Sequence, residues 1–152
     1  MKVLTICDVL FPHTVGGAGR FAREVAESLL RQGLEVEFLT RRVQSRLEET
    51  IHSEYLPPVW QVPSGAFQRA LERQIQRFEP DVIHSHQPLP AYLTSAWSKS
   101  VPLVHTFHSS WPEEFKVKSS RWPGAFRAPI AGLYAQFERR VIPNISPRFV
   151  IV

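Results

Sequence analysis

The stretch Lys2-Val3-Leu4-Thr5-Ile6-Cys7, followed a few residues later by Thr14-Val15-Gly16-Gly17-Ala18-Gly19-Arg20, decides the fold of this chain. The first six residues are apolar and β-branched enough to form a buried strand. Three of the chain's seven glycines then gather just ahead of a helical pattern. Glycine has no Cβ, so its backbone can take positive φ and approach a ligand closely. The helix that follows adds unpaired N–H groups and the positive end of its dipole, which together suit an anion such as phosphate.

Outward from this stretch, strands and helices alternate. Residues 19–32 read as a helix in which Phe21, Val25 and Leu29 recur every four positions and Ala22, Ala26 and Leu30 widen the apolar stripe. Gly33 is placed to close that helix, and Glu35–Thr40 reads as the next strand. Residues 41–64 are irregular, broken by Pro57, Pro58 and Pro63, with a short strand at 53–56. A helix is expected at Ala66–Phe78, a strand at 81–85, a helix at 91–98 and a strand at 102–107. A long loop at 108–125, a helix at 129–141 and a last strand from Phe149 complete the pattern. This order predicts an α/β domain with a Rossmann-like, doubly wound, mostly parallel sheet and helices on both faces. A strand at the very end, with no turn or helix after it, reads as the edge of a domain that continues into another.

Composition narrows the function classes. At 152 residues and 43% apolar, the chain can build a single core, which excludes global disorder. The net charge of +4 comes from scattered basic residues, a weak footprint for nucleic acid but compatible with anionic phosphates or an anionic membrane surface. No apolar run is long enough to span a bilayer and no signal-peptide pattern opens the chain, so a cytoplasmic protein is expected. Cys7, the single cysteine, reads as core packing.

The glycines admit two phosphate readings. Gly17-x-Gly19-x-x-Ala22 fits a loose dinucleotide fingerprint, and Arg41 and Arg42 after the second strand stand where an NADP-dependent oxidoreductase places arginine. The eight residues 8–15 argue against it, because that fingerprint turns the chain directly after the strand. Four histidines form a second cluster of interest. His84 and His86 fall on one side of a strand, and His105 and His108 close another. A zinc site would need a carboxylate or cysteine partner that the sequence does not supply, so no metal is expected. Strand alternation and apolar neighbours place His84 and His105 in the core with backbone hydrogen bonds. The segment from Trp111 to Trp122 mixes aromatics with Lys116, Lys118 and Arg121, a composition suited to a membrane interface or to folding over an acceptor.

The order of the Gly16-Gly17 pair after a long first loop, Pro80-Asp81-Val82-Ile83-His84-Ser85-His86, and Val101-Pro102-Leu103-Val104-His105-Thr106-Phe107-His108 resembles the N-terminal domain of the family-four, GT-B-fold retaining glycosyltransferases over nearly the whole chain. The resemblance implies transfer of a sugar from a nucleotide-sugar donor to a sugar, lipid or small-molecule acceptor hydroxyl. It implies that residues 1–152 are the acceptor-side domain, inactive without a C-terminal nucleotide-sugar-binding domain. Gly16 and Gly17 would meet the donor diphosphate, and His108 would serve the donor sugar and reaction centre. Arg20, His86, Gln87 and Ser109 would line the acceptor side, with Asp8 and His13 near it. No divalent metal or other cofactor is implied. A non-enzymatic glycan- or lipid-binding domain is the remaining alternative.

Overall fold

Strand β1 (Lys2–Cys7) alternates its side chains between two apolar layers, and this makes it the centre of the molecule. Val3 and Cys7 pack with Ala22, Ala26, Val36 and Phe38 on one face, while Leu4 and Ile6 pack with Leu71, Phe78, Ile83, Ala91 and Leu103 on the other. A strand covered on both faces loses the polar half of its alternation, which explains the near-continuous apolar run. The computed structural model describes residues 1–7, 17–40, 53–55, 66–86, 88–97, 100–121, 123–144 and 149–151. The expectations placed on Asp8, His13, Gly16, Arg41, Arg42, Gln87 and Trp122 lie outside the described residues.

The elements follow β1, α1 (Gly17–Arg31), β2 (Glu35–Thr40), β3 (Ser53–Tyr55), α2 (Ala66–Phe78), β4 (Val82–Ser85), α3 (Pro88–Trp97), β5 (Leu103–Phe107), α4 (Trp111–Lys118), α5 (Gly124–Val141) and β6 (Phe149–Ile151). They build a six-stranded sheet in the order β3-β2-β1-β4-β5-β6. Every pairing between these strands is parallel. Helix α1 covers one face, and α2, α3 and α5 contribute to the core on the other. The doubly wound architecture is the one the sequence predicts.

Helix α1 seats its small residues against the sheet: Gly19, Ala22 and Ala26 are buried, whereas Phe21, Val25 and Leu29 flank the contact half-buried. Small side chains let the helix approach β1 and β2 closely. Its outer surface carries i,i+4 ion pairs, Arg20 with Glu24 and Arg23 with Glu27, both at 2.8 Å. Gly33 stops the helix with φ of 80°, a left-handed conformation that glycine adopts without strain. On the opposite face, buried Gln74 and the Arg77 guanidinium both donate to the Glu37 carboxylate, tying α2 to β2.

Four expectations are corrected. The stretch expected as a long loop holds α4 over Trp111–Lys118. Pro112 falls in the first turn, where no N–H is needed, and Glu113 and Glu114 sit favourably at the positive end. Helix α5 starts at Gly124 rather than Pro129, which lies inside it, and α3 starts at Pro88. Trp111 and Phe115 of the expected loop turn inward: Trp111 stacks on Phe137 with centroids 5.5 Å apart and interplanar angle 5°, and Phe115 packs on Tyr134. Glu138 of α5 accepts hydrogen bonds from the Trp111 backbone N–H and the Ser110 hydroxyl, which supplies the cap that α4 lacks locally.

Because Ala26 is fully buried between α1 and the sheet, Ala26→Leu has no room for three added carbons. Overpacking of this kind costs about 1–3 kcal/mol. Thermal unfolding should show a lowered Tm, and an unchanged Tm would mean that α1 is not held this closely.

Candidate functional site

In a parallel sheet of this order, β1 leads outward in one direction and β4 in the other, which opens a crevice beyond their C-terminal ends. The sequence fills that crevice from three directions. Gly17 opens α1 there, exposed, and a Cβ added to it would meet none of the described residues within 4 Å. His86 follows β4, and its backbone N–H donates to the Ile6 carbonyl at 2.9 Å, carrying the β1–β4 pairing one residue further. His108 follows β5 immediately.

Two of the four histidines meet directly. His86 Nδ1 lies 3.1 Å from His108 Nε2, and the rings stack with centroids 5.3 Å apart. Phe21, one turn into α1 from Gly17, sets its edge against both, with centroids 5.3 Å from His108 and 6.0 Å from His86. Phe21 thus joins the helix N-terminus to the histidine pair. In the sequence Phe21 belongs only to the apolar stripe of α1, and no motif marks it.

The pair is electrically neutral. Burial pushes His86 down to about 2, reinforced by the charges that His84, His108 and His105 would carry. His84 is lowered to about 4, again chiefly by burial and then by His105 and His108. Burial also lowers His108, with the Glu114 carboxylate pulling partly the other way. One ring of a neutral pair must donate and the other accept. His86 is buried and its Nε2 has no partner among the described residues. An orphaned N–H is costlier than an orphaned lone pair, so the proton belongs on His86 Nδ1, donated to His108 Nε2. His108 then carries its own proton on Nδ1, the nitrogen left for a ligand.

The supporting histidines behave differently from each other. His105 is buried and donates Nδ1–H to the Ser85 carbonyl at 2.9 Å, as the sequence suggests. His84 is half-buried and pairs with the Thr106 hydroxyl at 2.7 Å rather than with backbone, which corrects that expectation. Of the other predicted site residues, Ser109 donates to Glu114 beside His108. Arg20 is exposed on α1 and paired with Glu24. Cys7 is buried in the core. Among the described residues, no group of three or more His, Cys, Asp or Glu side chains is placed to hold a metal ion. No described helix is long and apolar enough to cross a membrane.

This fold and this crevice define the N-terminal domain of a GT-B glycosyltransferase. The chain belongs to Glycosyltransferase Family 4, whose pattern matches residues 15–152. A curated relative, D-inositol 3-phosphate glycosyltransferase from Pseudarthrobacter chlorophenolicus, is 33% identical over 116 residues, covering 62% of this chain and 27% of the relative. Among solved structures, sucrose-phosphate synthase from Thermosynechococcus elongatus superposes with a TM-score of 0.59 at 14% identity, over 99% of this chain and 47% of that one. A glycosyltransferase from Rickettsia africae gives 0.57 at 18% identity, over 78% and 33%. MurG from Acinetobacter baumannii gives 0.54 at 14% identity, over 99% and 45%. The chain therefore spans less than half the length of each.

The neutral histidines make stability depend on pH. Their folded-state values lie below the ordinary 6.5 of the unfolded chain, so the unfolded state binds more protons as pH falls below that value. Stability is complete above about pH 6.5 and is lost on acidification, by about 1 kcal/mol for each of His84 and His86 by pH 5.5. The Tm should drop between about pH 7.5 and 5.5, and His86→Phe should flatten that slope. An equal slope in the variant would show that His86 is not buried neutral.

Proposed function

We propose that this chain is the acceptor-side domain of a retaining glycosyltransferase, which moves a sugar from a nucleotide-sugar donor to an acceptor hydroxyl on the cytoplasmic side of the cell. The nucleotide is held by a C-terminal domain that faces the strand ends across a cleft, and this chain alone is inactive. The observation that carries the reading is the neutral His86–His108 pair, joined by Phe21 to the glycine-led N-terminus of α1 at the sheet's crevice.

Each part has a chemical task under this reading. As the glycosidic bond to the donor breaks, negative charge gathers on the departing nucleoside diphosphate. Backbone N–H groups of Gly16 and Gly17, with the dipole of α1 behind them, stabilise it without a divalent cation. Gly17 suits this because no described residue lies within 4 Å of the place a Cβ would take. His108, neutral, donates Nδ1–H to a donor-sugar hydroxyl at the reaction centre, and His86 fixes the ring in that state. Arg20, Gln87 and Ser109 line the acceptor side together with His86. The relative's inositol-phosphate acceptor makes a phosphorylated polyol one acceptor class to try.

In the polypeptide carrying both domains, His108→Ala should lower kcat by about 10²–10⁴-fold with a smaller change in KM. Gly17→Ala should leave the Tm unchanged and weaken the donor. Steady-state kinetics with UDP- and GDP-sugars check both, and wild-type kcat in His108→Ala would remove His108 from the reaction centre. Residues 1–152 alone should turn over neither donor, and turnover by this chain would overturn the division of labour.

A further inference from the structure

Residues 111–140 hold six of the 18 Lys and Arg but only three of the 14 Asp and Glu, so most of the chain's net charge of +4 sits on the α4–α5 hairpin. The aromatics expected to reach outward from this segment do not do so together. Trp111 is spent on Phe137 and Tyr134, and Phe115 packs on Tyr134. A different set of apolar side chains faces out.

Phe126 and Leu133 lie seven residues apart on α5, which puts them on one helix face two turns apart, and they are 64% and 66% exposed. Pro129, also exposed, falls between them on that face, and exposed Gln136 and Arg140 carry the line to a polar end. Val117 of α4 is 75% exposed. A solvated helix face is ordinarily polar, and large apolar side chains at helical spacing mark a surface made for contact. Cations border it. Arg121 is exposed at the corner between the helices, and Arg140 is exposed near the end of α5. Arg127 and Arg139 instead line a cavity of about 750 Å³ between α4 and α5, on the other side of α5 from Phe126 and Leu133. The nearby acids are engaged: Glu113 pairs with Lys116 at 2.5 Å, and Glu138 caps α4.

We propose that the outer face of α5, with the corner that leads into it, seats on an anionic lipid bilayer. Phe126 and Leu133 enter the boundary between headgroups and acyl chains, while Arg121 and Arg140 meet lipid phosphates at the rim. Charge selects this occupant. A second copy of the chain would bring the same cations against themselves, whereas an anionic surface neutralises all of them. The helix lies on the membrane rather than through it, as its length and charge require.

Co-sedimentation of the protein with vesicles tests this without donor or acceptor, so it stands or falls separately from the transfer reaction. Vesicles of phosphatidylcholine with phosphatidylglycerol should pellet the protein, increasingly as salt is lowered, and phosphatidylcholine alone should pellet little. Arg121→Gln and Arg140→Gln should each weaken binding about fivefold. The double variant Phe126→Ser/Leu133→Ser should lose binding by about tenfold or more with its Tm retained. The proposal is overturned if anionic vesicles pellet no protein, or if the double variant binds as the wild type does. It is equally overturned if sedimentation velocity shows a dimer that the double variant dissolves, since the face then joins two copies.

Discussion

The hydrogen bond from the His86 backbone to Ile6, 2.9 Å long, extends the β1–β4 ladder past the end of β4 and fixes everything functional around it. β1 is gripped on both faces, so its C-terminal end is a rigid reference point. α1 departs from that end and packs back through Gly19, Ala22 and Ala26. His86 is pinned to the neighbouring strand by the same ladder. The distance between the helix N-terminus and the histidine pair is therefore set by the core. Groups on rigid elements hold a site more tightly than groups on loops.

The crevice holds its polar groups in an unusual electrical state for a protein with a net positive charge. Four histidines lie close together, and any proton gained by one raises the cost of protonating the others. Burial sets the main penalty and mutual repulsion adds to it. Neutral imidazoles are directional hydrogen-bonding groups without the attraction for water or stray anions that a cationic cluster would have. Near α1, fixed positive potential comes from backbone amides instead, which do not titrate. The crevice thus sets the positive end of a helix beside uncharged, directional rings.

Much of this was legible in the residues. The alternation of β1, the helical stripe of α1 with its Gly33 stop, and the strand ends carrying His86 and His108 all follow from local periodicity, and each appears where the pattern puts it. The α4–α5 hairpin was not legible, because Pro112, Gly124 and Pro129 are read as breakers when their helix position is unknown. Its stability comes from partners distant in sequence, such as Glu138 capping α4 and Phe137 under Trp111. The roles of Phe21, Glu114 and Gln74 were hidden for the same reason. Phe21 and Gln74 belong to ordinary helical patterns, and Glu114 to an expected loop, until the tertiary fold brings them against His108, Glu37 and Ser109.

His86 and His108 form a neutral, directionally fixed pair at the crevice. Two-bond ¹H–¹⁵N NMR spectra of the imidazole rings report protonation and tautomer for each histidine. Both rings should stay neutral at pH values where ordinary histidines are charged, with the proton on Nδ1 in each. Charged rings titrating near the ordinary value, or a proton on Nε2 of His108, would contradict this assignment.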